Sequence, residues 1–333
     1  MHRALPLSFT GVIFTLALFL TLMMWIALFS YSAVPVSAGE AVGAIFSFDP
    51  QQMAHVVVRE LRLPRVLEAA VVGSSLAGAG CLMQALTRNP LASPSLFGVN
   101  AGAALGMALV TTLFISQSMI SSSLAAMVGG FGAWTLVMTL GGAWKMGSER
   151  GQLILAGIAI SALCSALTKA SVILAEDQAI AVMSWLAGSF AHVDWPTLKT
   201  SCLLLAPTSL AALLITPKIN LLAMGDERVK SLGVNLTRLR ILIALIVLIL
   251  VSISVSAVGA IAFVGLIVPH MARMLVGFDY RRILPVAMLV GALLTISADI
   301  LSRAVSFPTE TPAGAVLALI GAPCFLYLVR NKQ

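Results

Sequence analysis

The sequence predicts an all-α fold, a polytopic transmembrane helical bundle of about ten spans, on three observations. Hydrophobic residues fill 59% of the 333 positions, charged residues only 10%, and mean hydropathy is +1.03. A soluble domain carries about 25% charged residues; this chain has too few to cover a water-facing surface, so its solvent is largely lipid. The apolar residues fall in runs of helix length rather than in short alternating strands, which points to a bundle and not a barrel. A backbone in lipid must also satisfy its own hydrogen bonds, and a helix does so within one segment.

The elements follow in chain order. The first run, 7–30, stands behind Arg3; it outlasts the ~7–15 apolar residues of a cleavable signal, so it reads as a retained span. Segments 64–86, 95–115, 119–142 and 151–174 come next, each of spanning length. Gly98, Gly102 and Gly106 stand four apart in the third, a row that either lets helices pack closely or faces a pathway. Segments 197–216 and 239–257 precede 259–270, which is too short to cross alone at 1.5 Å per residue. Gly259 and Pro269 bracket it, which predicts a short or broken helix. Segments 283–301 and 312–329 complete the set.

Ten spans place both termini on one side. With that side cytoplasmic, fourteen of the twenty basic residues fall inside, and Arg59, Arg62, Arg65, Lys169, Lys199 and Arg303 fall outside. This fits the positive-inside rule. The net charge of +7 is thereby explained by topology, and no nucleic-acid partner is implied. The outer stretch 31–63 has room for one or two short surface helices. The inner stretch 217–238 sets apolar Leu221, Leu222, Met224, Val229 and Leu232 among charges, with Gly225 and Gly233 as punctuation, a pattern of two short helices and a turn. No linker divides the chain, so 1–333 reads as a single transmembrane domain.

Motifs for catalysis are missing from the sequence. There is no phosphate-binding G-x-x-x-x-G-K-[ST] loop, no H-E-x-x-H and no G-x-S-x-G, so neither ATP hydrolysis nor proteolysis is expected on this chain. Cys81, Cys164, Cys202 and Cys324 lie in apolar segments without a C-x-x-C pair and read as small buried hydrophobes rather than metal or redox sites. Ion-coupled carriers hold ionisable groups deep in their spans. Here Glu68, Lys169, Asp299 and Arg303 fall near the outer ends of spans, where snorkelling is expected to lower their cost. Energy is then expected from a partner that docks on the inner stretch. Arg62 and Arg65 flank Leu63-Pro64 where the second span begins, and Arg303 closes the ninth. These three either anchor the interface or pair with carboxylates of a soluble partner, a role for which the planar guanidinium fork is suited.

An ordered series of motifs runs through the chain: Arg62-Leu63-Pro64-Arg65, Gln84-Ala85-Leu86-Thr87-Arg88-Asn89-Pro90-Leu91-Ala92, Leu96-Phe97-Gly98-Val99-Asn100, Ser231-Leu232-Gly233-Val234, Phe263-Val264-Gly265-Leu266-Ile267-Val268-Pro269-His270, Ala298-Asp299-Ile300-Leu301-Ser302-Arg303 and Gly321-Ala322-Pro323. In this series the chain resembles the permease subunits of ATP-binding-cassette importers for iron-siderophore complexes, haem and vitamin B12. Stretches such as Leu174-Ala175-Glu176-Asp177 and Gly233-Val234-Asn235-Leu236-Thr237-Arg238 make it most similar to the iron(III)-dicitrate permease subunits.

The resemblance implies a non-catalytic subunit of a bacterial inner membrane. Its implied partners are a second permease subunit, two ATPase subunits that hold the ATP and Mg, and a periplasmic substrate-binding protein; no cofactor is implied on this chain. Arg62, Arg65 and Arg303 match arginines that meet glutamates of the binding protein. The stretch 219–236 matches helices that sit in a cleft of the ATPase, through Leu222, Met224, Gly225, Asp226, Glu227, Ser231, Leu232 and Gly233. The family often reads Leu-Ala-Leu-Gly where this chain has Leu222-Ala223-Met224-Gly225, a change that nearly conserves volume and polarity.

Overall fold

A computed structural model describes residues 8–94, 98–113, 119–142, 150–174, 185–222, 225, 229 and 231–330. Among them the regular structure is helical: α1 (Phe9–Phe29), α2 (Ala38–Phe46), α3 (Met53–Val56), a π-helical turn (Val57–Arg62) leading into α4 (Leu63–Thr87), α5 (Val99–Leu113), α6 (Met119–Leu140), α7 (Arg150–Leu174), α8 (Trp195–Leu222), α9 (Leu236–Val258), α10 (Val264–Val276), α11 (Tyr280–Val305) and α12 (Ala313–Arg330). Six of these are long and apolar enough to cross a membrane, with the segment Met53–Thr87 counted as one helix. Shorter apolar helices lie at Val99–Thr112, Leu124–Leu140, Val264–Val276 and Ala313–Leu326. The protein is a multi-pass membrane protein, and each apolar helix overlaps a segment expected from the sequence.

Helix α4 runs through the middle of the bundle and packs against α1, α8, α9, α10 and α11. Its sequence explains this position: Gly73, Ala77, Gly78, Ala79 and Gly80 let neighbouring backbones come close. The contact with α11 is the most extensive. Gly73 and Gly291 meet backbone to backbone, and neither position leaves room for a Cβ. Thr295 Oγ1 donates to the Ala69 carbonyl at 2.6 Å, and Ser74 Oγ donates to the Met288 carbonyl at 3.0 Å. Helices α5 and α6 pair in the same way through Gly102, Gly106 and Gly129, so that part of the glycine row serves packing. Gly98 instead sits just before α5.

Several boundaries differ from expectation. The second half of the outer stretch is no separate surface helix, because α3 and the π turn continue into α4. The inner stretch begins later than expected, since α8 carries on through Pro217 to Leu222. Helix α10 does not end at Pro269 but passes through it to Val276. The carbonyl that Pro269 cannot bond belongs to Gly265, and Gly265 is where α10 presses on Gly80 of α4. The expected break lies earlier, at Gly259 and Phe263, both with positive φ. Of the cysteines, Cys81 and Cys164 are buried as expected, whereas Cys202 is exposed and Cys324 half-buried.

Candidate functional site

Two polar centres mark the opposite ends of the α4–α11 pair. The end bearing Arg62 is called outer here, after the charge distribution.

At the outer end, Arg65 follows Pro64 in the first turn of α4, and Asp299 and Arg303 stand one turn apart on α11, so one carboxylate reaches two guanidiniums. Arg65 donates to Asp299 Oδ1 from Nε at 2.9 Å and from Nη2 at 2.8 Å, and to Glu310 Oε2 from Nη1 at 2.7 Å. Arg303 Nη2 stands 3.2 Å from Asp299 Oδ2. Its Nη1 donates to the carbonyls of Ala27 at 3.2 Å and Ser30 at 2.7 Å, where α1 ends. Arg62 Nη2 donates to the Tyr31 carbonyl at 3.1 Å, while its Nη1 is buried without an acceptor.

The three arginines expected at the outer face are thus brought together, but they are interior groups: Arg62 is 6%, Arg65 7% and Arg303 1% exposed. Snorkelling does not relieve them. Internal pairing does, and three guanidiniums against Asp299 and Glu310 leave one net positive charge. Glu310 is the accessible member, its side chain 35% exposed. Glu68, one turn deeper on α4, is fully buried beside Ser201 and Cys202 of α8, with the Ser201 hydroxyl facing its carboxyl but no well-formed hydrogen bond to either oxygen. Lys169 is exposed on the surface of α7.

Beside the cluster lies an open groove of about 600 Å³ lined by Phe29, Tyr31, Ser32, Pro35, Val36, Ser37, Glu40 and Phe307. Tyr31 has φ +51°, a conformation uncommon for a non-glycine residue; it turns the chain so that its carbonyl meets Arg62. Its ring packs edge-on to Phe307, 6.4 Å between centroids. The backbone N–H and side chain of Ser37 hold the Glu40 carboxyl below its ordinary range, within a capping box that opens α2.

At the inner end, Leu222 and Val229 are buried, Leu232 is 59% exposed, and Ser231 and Gly233 are exposed. Gly225 and Gly233 take φ values of +106° and +76° with open space around them, which glycine adopts without strain. Val229 N donates to the Gly225 carbonyl at 3.1 Å, and Asn235 caps α9 by accepting from Arg238 N at 3.0 Å. Met224, Asp226 and Glu227 lie outside the described residues.

Sequence reasoning assigned no role to three further groups at these ends. Asn220, in the last turn of α8, donates from Nδ2 to Asp279 Oδ1 at 2.6 Å and accepts from Tyr280 N at 2.9 Å. Asp279 caps α11, accepting from Arg281 N at 2.9 Å; that bond and the Asn220 amide hold its carboxyl below the ordinary range. An Asp shortly before an apolar run is a helix-start signal, and Asp279 stands four residues before Ile283, where that run begins. Glu310 and Asn220 carry no local signal, since their partners are 245 and 59 residues away. Among the described residues no group of three or more His, Cys, Asp or Glu is placed to hold a metal ion.

Residues 17–331 match the model of the FecCD transport family. The chain is 48% identical over 314 residues to the Fe(3+) dicitrate transport system permease protein FecC of Escherichia coli, covering 94% of this chain and 95% of that protein. It is 40% identical to the hemin transport system permease protein HmuU of Yersinia pestis, over 82% of this chain and 83% of that one. A solved structure described as an inward-facing, metal-chelate type ABC transporter superposes with a TM-score of 0.84 at 33% identity, over 97% of this chain and 99% of the other. The chain belongs to the FecCD transport family and is a permease subunit.

Proposed function

We propose that this FecCD-family permease is the membrane subunit of an ATP-binding-cassette importer that moves ferric chelates, iron(III) dicitrate first among them, from periplasm to cytoplasm. The observation that carries the reading is the end-to-end likeness to the dicitrate permease. The chain crosses the inner membrane ten times with both termini cytoplasmic, and the α4–α11 arginine end faces the periplasm. A second permease subunit, the same or a related chain, completes the pathway. Two ATPase subunits hold the ATP and Mg and receive the inner stretch, with Leu222, Met224, Gly225, Asp226, Glu227, Ser231, Leu232 and Gly233 at the contact; the permease itself carries no cofactor.

A periplasmic binding protein delivers the chelate and presents carboxylates to Arg62, Arg65 and Arg303. The accessible entry to the cluster is at Glu310, which a partner carboxylate would replace on Arg65 Nη1. ATP binding and loaded binding protein each favour one state of the permease, and each shifts the balance only by its differential affinity.

Haem is the second reading, favoured by the likeness to the hemin permease; cobalamin is a third within the same family. Competition separates them. Uptake of radiolabelled iron(III) dicitrate by cells carrying the complete system should fall in the presence of excess unlabelled dicitrate complex and persist with hemin or cobalamin. Competition by hemin or cobalamin alone would reassign the substrate.

A further inference from the structure

Among the described residues, the inner stretch is tied to the bundle by the buried side chains of Leu222 and Val229, and a directed polar joint stands just before it. Asn220, two residues before Leu222, uses both ends of its amide on the start of α11: Nδ2 to Asp279 Oδ1, and Oδ1 from Tyr280 N. Tyr280 N is a first-turn donor with no acceptor inside its own helix, so the end of α8 supplies what the start of α11 lacks. The Asp279 carboxylate also caps α11 through Arg281 N, and this bond does not depend on Asn220.

From Tyr280 at that joint, α11 (Tyr280–Val305) reaches Asp299 and Arg303 after about 29 and 35 Å at 1.5 Å per residue. Along the way it is locked to α4 by the Gly73–Gly291 backbone contact and by the Thr295 and Ser74 hydrogen bonds. Close-packed backbones of this kind move as a body and do not deform smoothly. On this packing a shift at Asn220 carries Arg65, Asp299 and Arg303 together.

We propose that Asn220 and Asp279 are positioning residues that form the joint between the inner stretch and the outer arginine cluster, with the α4–α11 pair as the rod between them. This deepens the importer reading and rests on it. The joint touches neither substrate nor nucleotide; it couples the two docking faces.

The test uses the full complex, this chain with its co-expressed ATPase and binding protein, in lipid nanodiscs. Three quantities are read: basal ATP hydrolysis, its stimulation by binding protein loaded with iron(III) dicitrate, and the shift in binding-protein affinity caused by a non-hydrolysable ATP analogue. Asn220→Ala should assemble and keep basal hydrolysis, yet lose stimulation and the affinity shift by about fivefold or more. Asn220→Asp, which sets a second carboxylate against Asp279, should show the same loss. Adding Asp279→Asn to Asn220→Asp restores one amide and one carboxylate across the joint and should recover both readouts, which a mere folding defect would not predict. Stimulation of Asn220→Ala within twofold of the unmodified complex, or an assembled double variant that stays uncoupled, would overturn the joint. An unmodified complex without any stimulation would instead overturn the importer reading, and the joint with it.

Discussion

At the outer end of the α4–α11 pair, Arg65, Asp299 and Arg303 are bound to one another and to α1 and lie almost wholly out of solvent. At the inner end, the chain between Leu222 and Leu236 turns at two glycines with open space around them and shows Leu232 to solvent. The outer end is organised by interactions within the subunit. Among the described residues of the inner end, Leu222 and Val229 are buried anchors and Leu232 is presented at the surface. Damage at the outer end should therefore act on the subunit itself, whereas damage at the inner end should act on what the subunit assembles with.

The largest effect is expected at Asp299. Asp299→Ala removes the carboxylate shared by two buried guanidiniums and should cost about 3–5 kcal/mol, read as a fall in thermal midpoint and in folded yield in detergent. A midpoint within a degree of the unmodified protein would show that the cluster is not what holds α4, α11 and α1 together.

Glu68 provides the opposite sign at the same end. Its buried carboxyl faces the Ser201 hydroxyl without a well-formed hydrogen bond, and such an under-satisfied group costs about 1–3 kcal/mol in protein interiors. Glu68→Leu should raise the thermal midpoint; a fall would mean that the carboxyl has a partner in the assembled membrane protein. Glu310→Gln removes a partly exposed partner of Arg65 and should cost about 1 kcal/mol or less. It also raises the net charge of the cluster and should strengthen binding-protein docking in a pull-down, while weakened docking would show that Glu310 orders Arg65 for the partner.

The smallest effect on the fold belongs to the inner end. Leu232→Asp should change the thermal midpoint by no more than about 0.5 kcal/mol equivalent and yet reduce co-purification of the ATPase several-fold. Unfolding of the variant, or undiminished co-purification, would erase the difference between the two ends.

The same two ends show how far the sequence could be read. The spans are legible because lipid demands long apolar runs, and their periodicity needs no tertiary information. Boundaries were lost where local rules gave way to packing. Pro217 and Pro269 look like helix stops, but the Leu213 carbonyl freed by Pro217 accepts from Thr216 Oγ1 at 2.7 Å, and the Gly265 carbonyl freed by Pro269 lies where α10 packs on Gly80 of α4. The arginine trio was legible through its motifs, in Arg62-Leu63-Pro64-Arg65 and Asp299 to Arg303. Its burial was not, because Asp299 lies 234 residues from Arg65 and the α1 carbonyls that cover Arg303 lie 273–276 residues away. A sequence shows a basic residue at the end of a span; only the fold shows whether a carboxylate already occupies it.

The most direct test of the account is uptake into sealed proteoliposomes. Permease reconstituted with its ATPase should accumulate radiolabelled iron(III) dicitrate against its gradient only when ATP is supplied on the ATPase side and the binding protein on the other. Uphill uptake by the permease alone under an imposed proton gradient would contradict it.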